Sequence, residues 1–104
     1  YTPNLLSCGN ITLNQKSCEL SCGSQSFVLP RLEYQLMELL MLNRGIYLST
    51  EELLCRVWGY DTEAELGVVW VYISYLRRRL SALKADITIA ARRNVGYTLE
   101  EHHG

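Results

Sequence analysis

Long apolar runs, cysteine pairs at metal spacing and histidines within the body of the chain are all missing from this sequence. No stretch approaches the roughly 18 consecutive apolar residues of a bilayer span, so no transmembrane helix is expected. No basic segment followed by an apolar one opens the chain, so no secretory leader and a cytoplasmic location are expected. Only two of the 104 residues are proline, and the apolar share is ordinary, which argues against disorder. A chain of this length supports one domain with a single modest core. It starts at Tyr1 rather than methionine, and is expected to be a fragment of a longer regulator.

The chemistry of catalysis is thin as well. Cys8, Cys18, Cys22 and Cys55 form no Cys-x-x-Cys and meet no histidine pair at finger spacing. They read as small buried hydrophobes, with no metal site. Nothing marks the chain as secreted, so no disulfide framework is expected. His102 and His103 stand at the end of the chain and are given no role. No Gly-rich phosphate loop, nucleophile elbow or histidine-centred acid–base set occurs. The chain is read as no enzyme, with no cofactor.

What is present is a segregation of charge. The net charge is −1, which by itself does not suggest a nucleic-acid binder. Residues 1–65 hold four basic and eight acidic groups, a balance of −4. Residues 66–99 hold Arg77, Arg78, Arg79, Lys84, Arg92 and Arg93 against Asp86 alone, a balance of +5. Clustered positive charge is the expected footprint of phosphate contact, although a neutral protein can also carry charged faces by chance.

Hydropathy periods divide the chain. Leu5–Cys8, Ile11–Asn14, Lys16–Leu20 and Gln25–Val28 are short strand-like runs broken by Gly and Asn turns, which suggests a four-stranded antiparallel sheet over residues 1–28. The period then lengthens to 3.6. Pro30 suits the first turn of a helix with Leu32, Leu36, Leu39 and Leu40 inward, Leu29 or Met37 at the edge, and Gly45 past its end. Ser49-Thr50-Glu51-Glu52 is a capping box opening a second helix to about Trp58, with Leu53, Leu54 and Val57 inward. Residues 59–65 read as a loop. A third helix spans 66–83, with Val69, Ile73, Leu76 and Leu80 on one face and Gly67, Val71, Ser74, Tyr75 and Arg78 opposite. Asp86–Ala91 and Val95–Leu99 form a hairpin within 84–99, with Arg92-Arg93-Asn94 at its tip. Residues 100–104 form a tail. The fold class is α+β: a three-helix core over 29–83 between a sheet and a hairpin.

This order resembles the DNA-binding effector domain of the OmpR/PhoB family of response regulators. Leu29 to Leu40 is similar to the family's opening of its first helix, with Pro30 in place of the usual threonine. Ser49-Thr50-Glu51-Glu52-Leu53-Leu54 followed by Val57-Trp58-Gly59 matches its second helix. Arg93-Asn94-Val95-Gly96-Tyr97 matches its wing, with Asn94 where glycine is usual. The resemblance implies a winged helix-turn-helix that binds double-stranded promoter DNA, with the third helix in the major groove. It implies Val71 and Tyr75 toward base edges, and Tyr72, Ser74 and Arg77 toward phosphates, with Trp58 and Tyr97 contributing. Arg93 would enter the minor groove. It also implies a homodimer on direct repeats and contact of the 59–65 loop with RNA polymerase. Arg78 joins the set as the outward cation of the helix.

The third helix departs from the family. Arginine, threonine, valine, aspartate, valine and histidine are usual where this chain has Gly67, Val68, Val69, Trp70, Val71 and Tyr72, and arginine where it has Tyr75. Loss of a bidentate arginine–guanine contact removes about 1–3 kcal/mol of base discrimination. Apolar contact and DNA shape would then replace it, with Val71 and Tyr75 at thymine methyl groups. Tyr72 and Trp70 also fit packing roles, and the arginines fit a solvated helix end. The alternative function is a protein-interaction module with Trp70, Val71 and Tyr75 as its apolar centre.

Overall fold

A computed structural model describes residues 4–101; the terminal histidines lie outside the described residues. The first layer is an antiparallel meander in the order β1 (Leu5–Cys8), β2 (Ile11–Asn14), β3 (Glu19–Cys22) and β4 (Gln25–Val28). Cys8, Ile11, Leu13 and Leu20 lie on its buried face. The two-residue loop Gly9-Asn10 joins β1 to β2 with Gly9 at φ +59°, the glycine-first turn that suits strand twist.

β3 begins at Glu19 rather than at Lys16. Asn14 is the cause. Its side-chain oxygen accepts from the amides of Lys16 at 2.9 Å and Ser17 at 3.1 Å, and its carbonyl accepts from Cys18 at 2.8 Å. These local bonds take residues 15–18 away from the ladder.

Helix α1 (Arg31–Leu42) is preceded by Pro30 at ψ 157°, so the proline caps the helix instead of opening it. Its buried stripe is Glu33, Leu36, Met37, Leu40 and Met41, a rotation from the expected Leu32/Leu36/Leu39/Leu40 stripe. Leu32 and Leu39 are half-buried flanks. α1 packs against β1, the second and third helices and the last strand, so apolar groups are wanted over most of its circumference.

Tyr34 on this helix donates its hydroxyl proton to Glu38 Oε2 at 2.6 Å. Burial, then the bond to Glu38 and its charge, push the phenol well above the ordinary range. A raised folded-state value favours the protonated form, so the stabilisation is whole below about pH 10 and is lost as pH rises further. Alkaline titration followed at the tyrosinate absorbance should show one tyrosine that ionises only as the fold is lost. Its normal titration with the others in the native state would refute this.

Helix α2 (Thr50–Trp58) is capped by Ser49, whose Oγ accepts from the Glu52 amide at 3.0 Å. The return half of the box is replaced by a pairing of Glu52 with Arg56 at 3.6 Å. Leu53 and Val57 are buried, while Leu54 is only partly covered. Helix α3 (Gly67–Ala82) buries Val69, Ile73, Leu76 and Leu80, the expected stripe.

The chain ends in a hairpin of β5 (Ile87–Arg92) and β6 (Gly96–Glu101), paired from Ile87↔Glu101 to Arg92↔Gly96. Both strands begin a residue later than expected. Leu48 bridges to Tyr97 through two backbone bonds of 2.8 and 2.9 Å, so the link before α2 is a short third rung beside β6. At the other end, Asn10 and Asp86 exchange backbone-to-side-chain bonds at 2.8 and 2.9 Å. The sheet is thereby tied to the base of the hairpin. The whole is a winged helix-turn-helix behind a four-stranded sheet.

Candidate nucleic-acid interface

Three consecutive arginines on a helix are about 100° apart, and here each finds a different environment. Arg79 turns inward: its Nε lies 3.2 Å from Glu33 Oε1, and its guanidinium stands 5.2 Å from the Phe27 ring. Glu33 is only 6% exposed, so this cation compensates a carboxylate held in the core. Arg77 turns toward the wing, donating from Nε at 3.2 Å and Nη2 at 2.8 Å to the Ile89 carbonyl. Only Arg78 points outward, 5.9 Å from the Tyr75 ring centre.

Aromatic rings link α2 to the outer face of α3. Trp58 meets Tyr72 edge-on at 5.1 Å, and Tyr72 meets Tyr75 edge-on at 5.3 Å. Such pairs contribute about 0.5–1.5 kcal/mol each beyond area burial, and they hold the rings in position. Tyr72 packs against the core, the inward of the two placements left open by its position. Trp70 is 62% exposed, and Val71 and Tyr75 are exposed beside it. Ser74 donates its hydroxyl back to the Trp70 carbonyl at 3.2 Å.

The wing supplies the second basic element. Val95 donates to the Arg92 carbonyl at 3.0 Å, closing a tight tip with Asn94 in the left-handed conformation at φ 63°. Arg92 lies over the Tyr47 ring at 4.6 Å. Arg93 is exposed and has no bonded partner among the described residues. A cleft of about 450 Å³ separates the tip from the starts of α2 and α3, lined by Ser49, Thr50, Leu66, Arg93 and Tyr97 among others.

The residues singled out by sequence therefore divide. Trp70, Val71, Tyr75, Arg78 and Arg93 are exposed, whereas Trp58, Tyr72 and Tyr97 are half-buried and act through packing. Ser74 and Arg77, expected toward phosphates, are bonded to backbone carbonyls. The Glu33–Arg79 pair was missed, although a glutamate three and four residues before Leu36 and Met37 sits on the apolar stripe and signals a buried acid. Leu66, 44% exposed beside the wing, was missed too, and no sequence pattern marks it. Of the cysteines, Cys8 alone is fully buried, and burial pushes its thiol up; Cys18, Cys22 and Cys55 are half-buried, contrary to expectation. No helix among the described residues is long and apolar enough to cross a membrane.

Residues 24–99 match the family model for the C-terminal domain of transcriptional regulatory proteins. The heme response regulator HssR of Staphylococcus saprophyticus is 38% identical over 99 residues, which is 95% of this chain. The chain spans only 44% of that relative's length. The DNA-binding domain of Escherichia coli CadC superposes with a TM-score of 0.85 at 23% identity, covering 97% of this chain and 95% of that one. The Klebsiella pneumoniae RstA DNA-binding domain, solved in complex with the RstA box, gives 0.77 at 22% identity, covering 95% and 98%. That family is one of DNA-binding transcription regulators, not a class of enzymes. With an exposed third helix beside a basic wing and a family match over most of its length, the chain belongs to the OmpR/PhoB-type effector domains of response regulators.

Proposed function

We propose that this domain grips double-stranded promoter DNA with α3 in the major groove and the Arg93 tip of the wing in the adjacent minor groove. The observation that carries this reading is the pairing of an exposed helix face with two unburied cations, Arg78 on the helix and Arg93 at the wing tip. Arg93 extends from a rigid tip with no competing acid bonded to it, which suits the negative potential of a narrow groove. Trp58 and Tyr72 position the helix face, and Tyr97 holds the wing root. Arg77 keeps three N–H donors beyond the two given to Ile89, so a phosphate contact is compatible with its structural bond.

The domain serves, in this reading, as the effector part of a longer regulator that binds direct repeats as a homodimer. The loop 59–65 presents Tyr60 at 85% exposure with Asp61, Glu63 and Glu65, an acidic, aromatic surface suited to RNA polymerase.

Fluorescence anisotropy against salt tests the DNA reading. Arg93→Ala and Arg78→Ala should each lower affinity at every salt concentration and each flatten the log–log salt slope by about 0.9. An unchanged slope in both variants would refute the placement. The exposed Trp70 supports a second reading, a protein-interaction surface centred on Trp70, Val71 and Tyr75. Under it, Arg93→Ala leaves partner binding intact.

A further inference from the structure

We infer that α3 selects its DNA through thymine methyl groups, with Val71 and Tyr75 as the specificity-determining residues; this rests on the DNA reading above. The inference follows from how few polar groups the first half of the helix offers to base edges. From Gly67 to Leu76 no residue is charged. Ser74 gives its proton to the Trp70 carbonyl. Arg77 faces Ile89 and Arg79 faces Glu33. Tyr72 is fixed between the Trp58 and Tyr75 rings. Arg78 lies beside the Tyr75 ring.

Reading guanine or adenine in the major groove calls for a forked donor or a donor–acceptor pair, such as arginine on guanine or an amide on adenine. No arginine fork, glutamine or asparagine stands on the exposed part of this helix ahead of Arg78. The thymine C5 methyl is the one apolar mark on the major-groove edges of the bases. Val71, 38% exposed, and Tyr75, 37% exposed, lie four residues apart on one face and form a largely apolar surface of matching character. The basic flank at Arg78 supplies attraction to the backbone without sequence preference, while Arg93 in the minor groove responds to groove width and touches no thymine methyl. An apolar centre between cationic edges fits a thymine-rich groove between phosphate rows better than it fits a polar protein surface.

Selection of duplexes from a randomised pool by this chain, followed by synthesis of the winning site with base analogues, tests the inference. Replacing its thymines by uracil removes only the methyl groups. Affinity should fall about fourfold per contacted methyl, the equivalent of roughly 0.8 kcal/mol for one methylene-sized group returned to water. Replacing guanine by 7-deazaguanine, which deletes a major-groove acceptor, should change little. Val71→Ala should shrink the thymine–uracil ratio while leaving the thermal melt and the salt slope unchanged. A site sensitive to 7-deazaguanine and indifferent to uracil would overturn the inference and leave DNA binding standing. A bound site indifferent to both analogues would do the same, in favour of readout by shape alone. Failure to bind any duplex at low salt would overturn the DNA reading itself.

Discussion

Alanine in place of Gly96 should lower folding stability by about 3 kcal/mol, with the melting temperature falling by more than about 12 °C. Gly96 begins β6 at φ +147°, a region that side chains rarely enter. A Cβ built there would lie 2.0 Å from the Leu48 carbonyl oxygen and 2.9 Å from the Ser49 Cα. Both are backbone atoms, so no side chain can swing aside. Leu48 is itself bonded to Tyr97 in both directions, so retreat would break that bridge and shift the cap of α2. Chemical denaturation with circular dichroism gives the measurement. A loss under about 1 kcal/mol would mean that the wing root yields more easily than this packing implies.

Arg79→Ala should cost roughly 2–4 kcal/mol, somewhat less than breaking a fully buried pair because the arginine is 30% exposed on its side chain. The loss comes from Glu33, whose carboxylate stays in the core without its cation. Phe27 also loses the guanidinium beside its ring. The double variant Glu33→Leu, Arg79→Ala should recover much of the deficit, because an apolar side chain needs no partner at that position. A double-mutant cycle in urea measures the coupling, and additive losses would sink the claim that the two act as a pair. Neither change should alter the salt slope for DNA, since Arg79 faces the core while Arg78 faces outward.

The sequence is most legible where charged residues help to fix which apolar stripe turns inward. The α3 stripe of Val69, Ile73, Leu76 and Leu80 emerged as read because charged or exposed residues crowd the remaining turns near its end. α1 was misrotated for the opposite reason. Its many leucines and methionines satisfy several stripes, and only packing on four neighbouring elements selects the one through Met37. The third strand started late because a single side chain, Asn14, outcompeted the ladder, a choice that β-propensity does not encode.

The exposure of the candidate residues was legible in the sequence, their bonding partners less so. Exposure of Val71, Tyr75, Arg78 and Arg93 agrees with the faces assigned to them. The division of Arg77, Arg78 and Arg79 among wing, outer surface and core depends on what surrounds each residue. Ile89 and Glu33 come from strands and helices far along the chain, and nothing in a run of three arginines names them. Glu33 was the available warning: an acid on an apolar stripe demands a cation, and Arg79 is that cation.

The paired bonds from Arg77 to Ile89 have one more consequence. They join the helix and the hairpin into a calliper whose opening is set by the protein before any duplex arrives. Under the proposed mode of binding, a duplex held by both jaws would be measured against that opening, and groove width and local twist would enter recognition at base pairs that no side chain reaches.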